Sequence, residues 1–249
     1  MSKVTYCIRA LGAAYCISSS LSLANANNFK TPATATDTAR VCLNRPASAY
    51  VLADSLGLGL KHVGLELTLR ALLRGQQKIS FDSGRSITTP GTDIQKSALD
   101  SVEIDATFIS GSEIIIIVLG TNLVEANFAE SQKELMRRLK SLAPNAAYFW
   151  VDIGATMSTQ AKQWSDRNRL IYDNAQELGY QVISRYKAIF GPDADPLHIR
   201  SGKPFPGYQS EPGYGGEGNI HGYNLQLSQA ILDALIIHQE KIQNRIICR

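Results

Sequence analysis

The run Ile114-Ile115-Ile116-Ile117-Val118-Leu119, followed at once by Gly120-Thr121-Asn122, decides the fold. A strand with one wet face would alternate apolar and polar residues. An almost wholly apolar run instead fits a strand covered on both faces, the habit of parallel sheets in α/β proteins. Working outward, Tyr50 to Ala53 reads as a first strand, followed by a helix carrying Leu60, Val63 and Leu67 up to a stop at Gly75. Lys78 to Asp82 is the second strand, with a helix after Thr92. The Ile114 run is the third. Asn127 with Glu130 makes a capping-box-like start for a helix through Leu135, Leu139 and Leu142 that ends before Pro144. Tyr148 to Ile153 is the fourth strand. Trp164, Ile171, Ala175 and Leu178 recur at helical spacing up to Gly179, Gln181 to Ser184 is the fifth strand, and a last helix runs from about Leu225 toward Ile246. Short apolar runs alternating with helical segments predict a βα-repeating domain around a parallel sheet.

The chain has 249 residues, 44% hydrophobic and 19% charged, which suits one globular domain with its own core. Lys3 and Arg9, the apolar small-residue stretch from Ala10 to Leu23 and the site Ala24-Asn25-Ala26 together read as a cleavable signal over residues 1–26. Residues 27–41 are a polar leader, and the domain spans 42–249. The stretch is shorter than a ~20-residue membrane span and is interrupted by Ser18, Ser19 and Ser20, so the mature form is expected not to stay inserted in a membrane. Losing two cations takes the formal charge from +3 to +1 (3 minus 2), too little to grip nucleic acid or anionic lipid. The expected location is periplasmic or secreted. Cys7 and Cys16 leave with the signal, and export permits a disulfide between the remaining Cys42 and Cys248, two free thiols being the alternative.

Ligand sites in parallel α/β sheets lie at the carboxyl ends of the strands. Ser55 follows the first strand, Gly84 the second and Asn122 the third, so one rim of the sheet carries a hydroxyl, an approachable amide and a carboxamide donor. These are the parts of a nucleophile with an oxyanion hole. Taken singly, each is an ordinary turn or cap residue.

Together they resemble a known family. Val51-Leu52-Ala53-Asp54-Ser55-Leu56-Gly57 resembles the first block of the SGNH (GDSL-type) hydrolases, with Ala53 replacing the usual Gly. Phe81-Asp82-Ser83-Gly84-Arg85 is similar to the second block in the form found in SGNH domains of cell-surface O-acyltransferases and esterases. Val118-Leu119-Gly120-Thr121-Asn122 is similar to the third, with Leu123 where Asp often follows. The resemblance implies a three-layer α/β/α sandwich with a five-stranded parallel sheet in the order 2-1-3-4-5 and no cofactor or metal. It further implies an exported serine esterase or O-acyltransferase acting on an acylated carbohydrate or other small ester. Ser55 would be the nucleophile, with Gly84 and Asn122 in the oxyanion hole.

The family's fourth block, Asp-x-x-His before the last helix, is met in part. His221 stands just ahead of Asn224 and the helix and is the preferred base, but Gly218 and Glu217 occupy the place of the Asp. Asp195 and His198 form an alternative Asp-x-x-His further upstream. Between Gly191 and Tyr223 lies a Pro-, Gly- and Tyr-rich stretch without period, a functional loop or a plain surface excursion.

Other readings meet specific obstacles. Gly57 and Gly59 suggest a dinucleotide fingerprint, but its third glycine would fall on His62. There is no Walker motif and no His-Glu-x-x-His, and His62 and His238 read as helix residues. An α/β-hydrolase elbow would place its nucleophile after a later strand than Ser55. A non-catalytic glycan- or peptidoglycan-binding module on the same fold stays open because no Asp precedes His221.

Overall fold

The computed structural model describes residues 46–154, 160–199 and 227–238, together with the backbone of residues 5–10 and 13–18. The latter form a small unit of their own, an antiparallel hairpin of Thr5–Ala10 with Ala13–Ser18. Cys42, Cys248, His221 and most of the Gly-Tyr stretch lie outside the described residues.

The sheet domain contains β1 (Ala47–Ala53), β2 (Arg74–Phe81), β3 (Ile114–Val118), β4 (Ala147–Val151) and β5 (Gln181–Ile183). All pair in parallel in the order β2-β1-β3-β4-β5, the expected 2-1-3-4-5. The central strands are the most apolar, and Ile115, Ile116 and Ile117 are fully buried, because each face of the sheet has its own layer.

Successive side chains on a strand point to opposite faces. Tyr50, Leu52, Ile115, Ile117 and Trp150 meet Val102 of α3 (Ala98–Ile104), Ile109 of α4 (Ala106–Ser110), Leu135 and Leu139 of α5 (Phe128–Leu142) and Ile171 of α6 (Ala161–Asp173). Val51, Ala53, Ile116, Val118 and Phe149 meet Leu60 of α1 (Leu56–His62), Leu65, Leu69 and Leu73 of α2 (Leu65–Leu73), and Leu227, Ile231 and Leu235 of a final helix, residues 227–238. Two short helices, α7 (Ala175–Leu178) and α8 (Arg185–Phe190), flank β5.

Three expectations need correction. The helix after β1 is not continuous, because Gly64 takes a left-handed φ of 76° and splits it into α1 and α2. The break resets the helical phase, so Leu65, Leu69 and Leu73 face the sheet at four-residue spacing, while Leu67 is 69% exposed. Gly75 does not stop the helix either. Arg74, with φ 60°, ends α2 and β2 begins there, four residues before the expected start at Lys78. The helix sought after Thr92 starts only at Ala98, where Ser97 and Asp100 form a reciprocal capping box. The Asn127 cap is formed as expected, its side chain accepting from the Glu130 amide.

Candidate active site

Ser55 follows β1 and is exposed at the start of α1, and its hydroxyl does not cap that helix. The common structural role of such a serine is therefore not taken up. The turn is set from below by Asp54, which is fully buried. Its amide donates to the Val118 carbonyl at 3.2 Å, and its carboxylate accepts from the Leu56 amide at 3.0 Å and from the Thr121 hydroxyl. Burial pushes the Asp54 carboxyl above the ordinary carboxylate range, against the pull of the Thr121 and Leu56 bonds and of Arg185 and Arg85. Gly57 lets α1 lie close to the sheet, since a Cβ there would sit 2.5 Å from Phe81 Cβ and 2.8 Å from Ala53 Cβ.

Gly84 adopts φ 74° in the turn after β2, a conformation that favours glycine. The turn is ordered by the buried Asp82, whose carboxylate accepts from the amides of Asp93, Ile94 and Lys96 at 2.9 to 3.1 Å. Burial alone would raise the Asp82 carboxyl, but these three bonds and the charge of Arg85 outweigh it and hold the group below its ordinary value.

Asn122 is half-buried and donates from Nδ2 to the Arg85 carbonyl at 2.8 Å, which leaves the second N–H of its carboxamide for another acceptor. Arg85 is itself fully buried, donating from Nε to the Lys96 carbonyl at 3.0 Å and from Nη1 to the Ala53 carbonyl at 3.3 Å. Three direct links therefore close a ring among the rim loops. Thr121 joins the Asn122 loop to the Ser55 turn, Asn122 joins it to the Gly84 turn, and Arg85 joins the Gly84 turn back to the end of β1. The turns that carry Ser55, Gly84 and Asn122 are thus tied to one another by hydrogen bonds of Asp54, Arg85, Thr121 and Asn122.

His198 Nδ1 lies 2.5 Å from Asp195 Oδ2, and both residues are exposed. The His198 bond, with that of the Leu197 amide, holds the Asp195 carboxyl below its ordinary value. The segment is fixed to α6: Asn168 Nδ2 donates to the Pro196 carbonyl at 2.8 Å, and the Ile199 amide donates to the Ser165 hydroxyl at 2.9 Å. His221 lies outside the described residues.

Sequence reasoning assigned no role to Asp54, Thr121, Glu125, Trp164 or Arg167, all of which support the rim loops. Asp54 and Thr121 lie inside the first and third quoted blocks, Trp164 was legible only as a helix residue, and nothing in the spacing of Glu125 and Arg167 marks them. Among the described residues no group of His, Cys, Asp and Glu is placed to hold a metal, and no helix is long and apolar enough to cross a membrane.

Chemically, the rim carries a serine whose hydroxyl caps no helix, and the loops tied to its turn carry a glycine amide and a carboxamide N–H. A serine hydroxyl is almost un-ionised near neutral pH and needs a base to attack a carbonyl. An exposed imidazole whose Nδ1 is engaged by a carboxylate keeps Nε2 as its second polar atom.

No family model matches the chain, and no curated protein matches it. Solved structures do. The chain is similar to a carbohydrate esterase family 2 enzyme with a carbohydrate-binding domain from Corynascus thermopiles (Myceliophthora fergusii), at 13% identity and a TM-score of 0.48, over 77% of this chain and 67% of that one. It is similar to the periplasmic domain of a lipopolysaccharide acetyltransferase of Salmonella ser. Paratyphi A, at 16% identity and a TM-score of 0.42, over 59% and 69%. It is also similar to a GDSL-like lipase from Parabacteroides merdae, at 10% identity and a TM-score of 0.45, over 76% and 99%.

Proposed function

We propose that the protein is an exported serine esterase or O-acyltransferase of the SGNH type, acting on an O-acylated carbohydrate or another small ester. The observation that carries this is the ring of hydrogen bonds among the loops that bear Ser55, Gly84 and Asn122, with the Ser55 hydroxyl not spent on a helix cap.

In this reading a neutral imidazole takes the Ser55 proton as the hydroxyl attacks the ester carbonyl. Negative charge collects on the carbonyl oxygen and is met by the Ser55 and Gly84 amides and the Asn122 carboxamide. The imidazolium then protonates the leaving alkoxide. Water or a second sugar hydroxyl resolves the acyl-enzyme, giving hydrolysis or transfer with the same residues.

Two histidines compete as the base. His221 has the shorter connection to the last helix, whereas His198 has the Asp195 carboxylate on Nδ1, the orientation a base needs. The deciding experiment is turnover of p-nitrophenyl acetate and of acetylated cell-wall glycan by the purified protein and its Ser55→Ala, His198→Ala and His221→Ala variants. Ser55→Ala should abolish turnover. The base variant should match that loss, because nucleophile and base act as a unit, and the other histidine variant should be mild. Full activity in Ser55→Ala, or no turnover of any ester by the parent, would favour the glycan-binding module instead.

A further inference from the structure

We infer that Arg167, a residue of α6 that need never touch substrate, is a positioning residue for the oxyanion site: its guanidinium holds the loop that presents Asn122. The inference rests on the serine-ester reading above. Its basis is the set of carbonyls that follow β3. The Leu119 carbonyl accepts from Trp150 Nε1 at 3.2 Å, that of Gly120 from Arg167 Nη1 at 2.8 Å, and that of Thr121 from Trp164 Nε1 at 3.0 Å. The Asn122 carbonyl accepts from Arg167 Nη1 at 2.5 Å and that of Glu125 from Arg167 Nη2 at 3.3 Å. These carbonyls belong to no helix or strand, and each is met by a side chain of β4 or α6.

Arg167 is suited to this by shape. Its fork of N–H groups lies in one plane and reaches three carbonyls at once, which the single ammonium of a lysine cannot reproduce. Arg167 is 7% exposed, and its guanidinium lies 4.9 Å over the Phe128 ring. Burial lowers its pKa, and the nearby Glu125 charge works against that.

Glu125 carries the support across to the other donor. Its carboxylate accepts from the Ile87 amide at 2.8 Å, the Thr88 amide at 3.2 Å and the Thr88 hydroxyl at 2.6 Å, in the loop that follows Gly84. Arg167 thus fixes the main chain of Glu125 while the Glu125 side chain fixes the Gly84 loop, so both oxyanion donors share one foundation. Donors stabilise a developing oxyanion only if they are in place beforehand.

The test compares the parent with Arg167→Met, Arg167→Lys, Trp164→Phe, Asn122→Ala and the double variant Arg167→Met/Asn122→Ala. Three readouts are taken: kcat and KM on p-nitrophenyl acetate, the rate at which a fluorophosphonate labels Ser55, and Tm. Arg167→Met should lose about tenfold or more in kcat with KM within about twofold, since small displacements of catalytic groups are costly while ground-state binding is spared. Labelling should slow in parallel, because the phosphoryl oxygen uses the same donors. Arg167→Lys should not restore the rate. The double variant should be no slower than Asn122→Ala alone, because the donor that Arg167 positions is already gone.

Trp164→Phe keeps an aromatic ring and removes only the bond to the Thr121 carbonyl. It should show a smaller kcat loss at unchanged Tm, and it decides the matter if Arg167→Met does not fold. Parent-like kcat in folded Arg167→Met, additive losses in the double variant, or, where Arg167→Met is unfolded, parent-like kcat in Trp164→Phe would overturn the assignment. A parent that neither turns over ester nor is labelled at Ser55 removes the esterase reading, and the inference with it.

Discussion

A Cβ added at Gly57 would overlap Phe81 Cβ and Ala53 Cβ, atoms close to the backbone that cannot swing aside. Gly57→Ala should therefore force α1 away from the sheet. Overpacking of this kind costs about 1–3 kcal/mol, more than the ~1 kcal/mol by which alanine exceeds glycine in a helix. The urea midpoint of the variant should fall, and ester turnover with it, because Ser55 opens the same helix. Neither the close packing at Gly57 nor the carbonyl contacts of Arg167 can be read without a structure. Ser55, Gly84 and Asn122 could be proposed from the sequence because each lies within four residues of a strand end, and strand ends converge in a parallel sheet. Arg167 and Glu125 act through carbonyls and amides some 40 positions away in sequence, as the Arg167–Gly120 and Glu125–Ile87 pairs illustrate, and such contacts leave no local pattern.

At the scale of elements, the Asp82 carboxylate gathers three amides of the segment between β2 and α3. Asp82 has a folded-state value below its ordinary 3.8, so it contributes stability in full above that pH and loses it as the pH falls through the lower folded value. The difference in Tm between parent and Asp82→Asn should accordingly be largest near neutrality and shrink below pH 3.8. A difference that stayed constant with pH would mean that the amide bonds, not the charge, hold the turn. Asp54 works in the opposite sense: its raised value makes the native state the better proton acceptor on acidification, so Asp54 protonation favours folding where Asp82 protonation opposes it. Element boundaries were less legible than element order. The strands could be counted because β-branched runs are distinctive, but the α1–α2 break turns on the backbone angle of Gly64, and the start of β2 on that of Arg74. Neither angle is implied by composition.

For the molecule as a whole, the two apolar layers account for cohesion of the described domain, and the remaining question is whether its ends are fastened. The proposed Cys42–Cys248 pairing would close a loop of about 200 residues, worth at most roughly 5 kcal/mol in the chain-entropy model. Intact mass after alkylation, with and without prior reduction, should show both thiols protected until reductant is added. Two alkylated cysteines without reductant would refute the pairing.

Among the described residues the sheet is open, and its outer strands differ. β5 has three residues, too short a ladder for a foreign strand to extend. β2 has eight and turns Arg74, Gln76 and Lys78 outward. Lys78 is already paired with Asp105 at 2.6 Å, so Arg74 is the charge that a second copy laid along this edge would meet, and a charged edge residue discourages the strand addition by which flat and uncharged edges seed fibres.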